Sequence, residues 1–423
     1  MDAAVWSLPT DRAHNLASSA GSLTFVGGSG DFDLVGRIRR PDSMAAQIAG
    51  AMENLAAALA IEGCTLDDVV RLKAFYKDDG RRNGLEVIAD LLAPVLSDPP
   101  PPVTANPVPL MPFPEQQVQI QAIAQRGWRQ LDDIRAVTRA VSPRNGKMFR
   151  HGRITVGLRA GEFIVIPGRT ATEDGTTLAG DGIAQTHVVM GGLEGVLKEL
   201  GASFQDVIKK EGYYYGSDLA QWADMATIRA TYFREPGPVA TVVPCQDLWP
   251  PGALTKVEVL ALRERRNGFD KYVPRADSWP TRVWDWPIPV PYRQGIRMRD
   301  MIWTGGQVPF EPGRNAGRVV LAGRLIPQTR FTMGYIDDIL GGFGAVMSDL
   351  RLLVCYFTST GTTTETEQFL AAVADCVPGV LPPITLVPQP HMHNSEIMLE
   401  IWGIARAFPL PIGPRPHPVS EPV

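Results

Sequence analysis

The chain has 423 residues, 44% of them hydrophobic and 20% charged, which is enough apolar material for two to four packed domains. Its 41 Lys and Arg against 45 Asp and Glu leave a formal charge of −4, which argues against a basic nucleic-acid binder. No run of about 18 apolar residues predicts a membrane-spanning helix. The start, Met1-Asp2-Ala3-Ala4-Val5, lacks the basic and apolar segments of a signal peptide. Cys64, Cys245, Cys355 and Cys376 form no Cys-x-x-Cys pair, so neither a zinc ribbon nor a disulfide framework is expected, and the location expected is the cytoplasm.

In chain order, Leu23 to Gly28 reads as a strand closed by a glycine turn. Met44, Ile48, Met52, Leu55 and Leu59 then recur at helical spacing, and Gly63 stands where a helix ends. Thr65-Leu66-Asp67-Asp68 reads as the N-cap of a short helix. Val70 to Tyr76 is a strand and residues 84–96 a second helix. A Pro-rich stretch through Val103-Thr104 leads into an alternating strand, Gln117 to Ala124. Residues 125–146 are polar and basic and read as a linker.

The order restarts twice. Phe163 to Gly168 repeats the first strand, and Ile183, His187, Met190, Leu193 and Leu197 the first helix. Gly201, Ser203 to Asp206, Ile208 to Tyr215, a helix over 219–233, Ala240-Thr241 and Lys256 to Leu262 follow. A linker over 265–288 carries Trp279, Trp284 and Trp286, which are expected to pin it to a neighbouring domain. The third copy runs from Met301 to Gly306 through Gln328, Gly344, Asp349, Leu350 to Phe357, a helix over 365–376, Ile384-Thr385 and Ile397 to Ala405. Five landmarks keep one order and a spacing of roughly 140 residues: the turn glycine, the helix glutamine (Gln47, Gln185, Gln328), the helix-end glycine, the aspartate (Asp68, Asp206, Asp349) and the Thr of the Pro-rich segment. The chain is three copies of one β–α–β–α–β unit of the α+β class.

Gln119-Ile120-Gln121-Ala122-Ile123-Ala124 and Glu400-Ile401-Trp402-Gly403-Ile404-Ala405 resemble the closing strand of the RidA/YjgF (Rid, endoribonuclease L-PSP-like) family. Pro291-Tyr292-Arg293-Gln294 before a strand and Gly306-Gln307-Val308-Pro309 after it resemble the same family. The resemblance implies three chorismate-mutase-like (RidA) domains in tandem, forming an intramolecular pseudo-trimer around a central β-barrel. They are expected at 1–127, 147–265 and 289–408, with a Pro-rich tail at 409–423. It further implies a cofactor-free hydrolase or deaminase of a small enamine, imine or related C–N compound, working at an interdomain cleft. The expected partner is a small-molecule substrate, with no nucleic acid, no membrane and no metal, in a monomeric pseudo-trimer or a dimer. Two alternatives stay open: another hydrolase on this scaffold, like cyanuric acid hydrolase or chorismatase, and a non-catalytic small-molecule-binding protein.

The family's arginine, which binds a substrate carboxylate, falls on Val103, Ala240 and Ile384, all apolar, so an α-imino acid is not the expected substrate. The family's water-positioning carboxylate is matched to Glu400 and Glu258, with Gln119 in the first unit. Tyr292 matches the family tyrosine, with His14 and Ile154 at the corresponding places. Catalytic roles are therefore expected for Glu400, Glu258 and Tyr292. Substrate contacts are expected from His391, His393, Gly306, Gln307, Thr385 and Ile384. Cys245 has no neighbour that activates a thiol and is expected to be buried.

Overall fold

The computed structural model describes residues 6–80, 83–141, 152–173, 176–178, 180–216, 219–263, 271–272, 282–313 and 317–407. The Pro-rich tail and Trp279 lie outside the described residues. In the first unit β1 (Ala17–Ala20), β2 (Leu23–Ser29), α1 (Met44–Ile61), β3 (Val69–Lys77), α2 (Gly84–Leu92), β4 (Val103–Val108) and β5 (Val118–Gln125) form one sheet of order β1-β2-β5-β3-β4 with its two helices. The second sheet, β12-β11-β13-β8-β7-β6, comprises β6 (Ile134–Ala140), β7 (Arg153–Ala160), β8 (Phe163–Thr170), β11 (Val207–Tyr215), β12 (Val239–Cys245) and β13 (Thr255–Leu262). Its helices are α3 (Gly182–Glu199) and α4 (Leu219–Ala230), and β9 (Thr172–Glu173) and β10 (Thr176–Thr177) make a small separate ribbon. The third sheet, β14-β15-β16-β19-β17-β18, holds β14 (Lys271–Tyr272), β15 (Gly295–Met298), β16 (Met301–Thr304), β17 (Leu350–Thr358), β18 (Ile384–Gln389) and β19 (Leu399–Arg406), with α5 (Leu325–Gly342) and α6 (Thr363–Cys376). The architecture is mixed α+β, and each sheet is open rather than closed on itself.

The recurring residues each do one backbone task three times. Gln47 accepts from the Gln117 N–H and donates to the Glu115 carbonyl, both at 2.8 Å, which clamps the approach to the closing strand onto the first helix. Gln185 does the same with Leu254 and Gly252, and Gln328 with Met398 and Glu396. Asp68, Asp206 and Asp349 each accept the N–H three residues earlier, at 2.8, 2.8 and 2.9 Å, and so cap a single 3-10 turn. Gly63, Gly201 and Gly344 sit at φ +68, +72 and +74°, where a side chain is strained.

Two kinds of segment differ from the sequence expectation. The Pro-rich lead-ins are themselves strands, parallel to the middle strand of each unit. Pro107, Pro244 and Pro388 are tolerated because β4, β12 and β18 are sheet edges, where a missing N–H breaks no ladder. The polar stretch 125–146 contains β6, an edge strand paired with β7 and largely open to solvent, so its pattern lacks an apolar face. Helix α1 has the length and hydropathy of a membrane span, but it lies on the first sheet with Ile48, Met52, Leu55 and Leu59 buried.

The three sheets touch in cyclic order: β8 lies against β3 and β4, β12 against β16 and β19, and β2 against β17 and β18. Side chains three and five residues beyond the capping aspartates meet where the sheets converge. Arg71 and Lys73 of β3 face Glu211 of β11 and Glu258 of β13, with N···O distances of 2.6–3.0 Å and all four side chains at most 2% exposed. Beyond them the Tyr213 and Tyr356 hydroxyls bond at 3.0 Å and Phe75 packs edge-on against Tyr356. Four buried charges are tolerable here because two cations face two carboxylates at contact distance.

Candidate functional site

Strand pairing sets the equivalences among the closing strands. Phe75 is opposite Gln119, Tyr213 opposite Lys256 and Tyr356 opposite Glu400. The place of Glu400 is therefore held by Gln119 in the first unit and by Lys256 in the second. Glu258 sits one pleat further on, in register with Gln121 and Trp402. This corrects the expectation for Glu258. Burial alone would raise its pKa, but Arg71 and Lys73 overcome burial and hold it down to about 2. Thr104 also donates to it at 3.0 Å. It is a structural anion with no open space for a substrate.

The three positions face three different seams. Gln119 lies between the first and third units, and its amide is committed to the Leu386 carbonyl at 2.6 Å. Lys256 lies between the first and second units, donating to the Ala105 carbonyl and Asn106 Oδ1 at 2.9 and 3.1 Å. Burial lowers its pKa to about 8. It lines a cleft of about 760 Å³ together with Val103, Ile154, Arg139, Arg169 and Trp249. Glu400 lies between the second and third units. There a cavity of about 260 Å³ is walled by Trp222 and Val242 of the second unit, Trp286 of the linker, and Gly306, His393 and Glu400 of the third.

Around Glu400 the groups form a continuous chain. Glu400 Oε2 is 3.0 Å from His393 Nε2, and His393 Nδ1 is 3.0 Å from the Tyr214 hydroxyl. The Val242 N–H donates to Glu400 Oε1 at 3.3 Å. An ionised carboxylate only accepts, so an ionised Glu400 takes its hydrogen bond from His393 Nε2, and the imidazole links it to the Tyr214 hydroxyl. The Tyr214 and His393 rings stack at 6.0 Å. The turn at Gly306 makes room for the carboxylate: a Cβ there would stand 1.8 Å from Glu400 Oε1.

The remaining expected residues are scattered. Gln307 is fully buried and faces away, donating to Gln294 and accepting from the Trp284 indole at 2.8 and 3.0 Å. Ile384 and Thr385 belong to the seam with the first unit: Ile384 backbone abuts Gly27, and Thr385 accepts from Gln121 at 3.0 Å. They are not part of the Glu400 site. His391 contacts its neighbour's carbonyl at 3.4 Å and does not line the cavity. His14 bonds locally and bridges to Leu381. Trp284 ties the linker to Gln307 of the third unit, and both Trp284 and Trp286 wall the cavity. Cys245 is buried, which pushes its thiol up to about 12.

Tyr292 is buried behind Trp286, whose ring lies 5.6 Å away, and packs on Phe233 at 5.8 Å. Lys210 Nζ stands 4.6 Å above its ring. Sequence reasoning missed Lys210 and Tyr214, which share the helix-facing side of β11, and Arg229 on α4. Arg229 lies two turns after Trp222 on one helix face. The one signal for Lys210 and Tyr214 was the alternation of Lys210, Gly212 and Tyr214 along one strand.

The endoribonuclease L-PSP family profile matches residues 9–126 and 151–263, more than half of the chain. The chain belongs to the endoribonuclease L-PSP family. A RutC family protein of Pyrococcus abyssi is 31% identical over 115 residues, covering 27% of this chain and 88% of that protein. One from Pyrococcus horikoshii is 30% identical over 115 residues, covering 27% and 89%. Among solved structures, a chorismatase has the same fold, with a TM-score of 0.51 and 13% identity over 80% of this chain and 93% of the other. The RidA/YjgF resemblance read from the closing strands is thereby established.

Proposed function

We propose that the protein is a cofactor-free hydrolase or deaminase of a small enamine, imine or related C–N compound, acting in the cleft between the second and third units. The observation that carries this reading is the chain Tyr214–His393–Glu400, buried at its far end and opening at Glu400 onto a cavity of about 260 Å³. Glu400 takes a proton from water as the water oxygen attacks the C=N carbon. The nitrogen is protonated, the C–N bond breaks, and ammonia and a carbonyl product leave. His393 holds the carboxylate in place and shares the proton it gains, and Tyr214 fixes the imidazole tautomer. Trp222, Trp286, Val308 and Phe310 keep bulk water out.

The cyclic contacts of the three sheets and the convergence of Phe75, Tyr213 and Tyr356 support a pseudo-threefold arrangement around a central barrel. In this reading the chain works as a monomer, and its free cysteines suit a reducing cytoplasm. Only one seam keeps the acid–base chain, because the equivalent positions hold Gln119 and Lys256. Ammonia release from a panel of small imines and enamines tests it. Glu400→Gln is expected to lower kcat about 10²–10⁴-fold, the range for removal of a general base. Full activity in that variant rejects the reading.

A further inference from the structure

A group of buried cationic and polar atoms next to Glu400 has no role in that chemistry. Arg229 is fully buried, and among the described residues none of Nε, Nη1 and Nη2 has a hydrogen-bond partner. Among the described residues, the Nζ of the fully buried Lys210 also has no hydrogen-bond partner, and neither has the Tyr292 hydroxyl or the indole N–H of Trp222 and of Trp286. Both tryptophans line the cavity. A guanidinium is charged at any relevant pH, and a buried charge without partners costs several kcal/mol. Arg71 and Lys73, equally buried, face carboxylates instead. Here the five side chains with unsatisfied donors converge from β11, α4, the linker and the segment before β15, on the helix side of the second sheet.

We propose that Lys210, Arg229 and the Tyr292 hydroxyl form an oxyanion subsite that binds a carboxylate of the substrate, reached from the cavity past Trp222 and Trp286. This deepens the proposed function and rests on it: the substrate is an organic acid with its anion under α4 and its reacting carbon at Glu400. The expected loss of carboxylate recognition at Val103, Ala240 and Ile384 is made good from a different wall. The guanidinium fork and the phenol match the in-plane lone pairs of a carboxylate.

Anion binding is coupled to a proton. Burial, and next to it repulsion by Arg229, push Lys210 well below its ordinary value, while Glu400 pulls the other way and Lys209 adds further repulsion. Lys210 stands over the Tyr292 ring, and Arg229 faces both Tyr292 and Tyr214. An arriving carboxylate favours the charged form of Lys210, so anion binding and protonation of Lys210 reinforce each other.

The test uses the full chain with crotonate and crotonamide as probes, by calorimetry in two buffers of different ionisation enthalpy. Crotonate is expected to bind one to one, at least tenfold tighter than the amide, with proton uptake. Arg229→Met is expected to abolish the preference while raising the melting temperature, since it removes a buried unpaired charge. Lys210→Met is expected to abolish the proton uptake. Equal binding of acid and amide by the wild type overturns the subsite, as does an Arg229→Met variant that keeps the preference. If Arg229→Met does not fold, the wild-type preference and Lys210→Met decide. Glu400→Gln is expected to keep acid binding while losing turnover. Loss of acid selectivity with turnover still dependent on Glu400 defeats the subsite alone, and the converse defeats the hydrolytic reading alone.

Discussion

Glu258 separates structural from catalytic carboxylates in this chain. Glu258→Gln keeps the size of the side chain but removes the charge that faces Arg71 at 2.9 Å and Lys73 at 2.6 Å. Glu211 is then left to neutralise both cations. Breaking one partner of a buried ion network costs about 3–5 kcal/mol. The pKa points the same way: Arg71 and Lys73 hold Glu258 below its ordinary value against the effect of burial, so the charged form is the one the fold stabilises. A carboxyl with a lowered folded-state pKa stabilises fully above its unfolded value. The contribution fades as pH falls from about 4.5 through about 2. Urea denaturation at pH 7 is expected to show Glu258→Gln about 3–5 kcal/mol less stable than the wild type, the gap narrowing below pH 4.5. At a temperature where both are folded, kcat should be unchanged. A variant as stable as the wild type but inactive would refute the assignment and return Glu258 to catalysis.

Other outcomes follow from the same geometry. Gly306→Ala puts a methyl group on Glu400 Oε1, so kcat should fall at least about tenfold, with the circular dichroism spectrum unchanged. His393→Gln should lower kcat and alter the basic or acidic limb of the pH–rate profile; an unchanged profile removes His393 from the proton path. Cys245 and Cys355 are buried, with Cys245 pushed up to about 12, so a disulfide reagent at pH 8 should leave both unmodified until denaturant is added. Rapid native modification of either would show that the seam opens.

The threefold plan was legible because its landmarks answer backbone needs that few residues can meet. A left-handed helix end asks for Gly63, a capped turn for Asp68, and a two-sided backbone clamp for Gln47. The family resemblance was legible in the closing strands for the same reason. Register was harder. Lys256 and Glu258 are two residues apart and point to the same face, so side-chain chemistry alone favoured the glutamate over the position that pairs with Tyr213. Tyr292 was expected beside Glu400 because it matched the family's tyrosine, yet Trp286 from the linker stands between it and the cavity. The Tyr214 and Arg229 contributions come from a different unit than Glu400, and no local pattern records which unit's helix covers which strand. Strand β6 escaped notice because only Val137 of its seven residues is buried.

The central claim is that chemistry occurs at Glu400 in the seam between the second and third units. A crystal structure of the Glu400→Gln variant soaked with a turned-over imine or enamine measures this directly. The substrate is expected in the cavity of about 260 Å³, with its C=N carbon and a water within about 3.5 Å of the side chain at position 400. Substrate seated in the larger cleft beside Lys256, with that cavity unchanged, would contradict it.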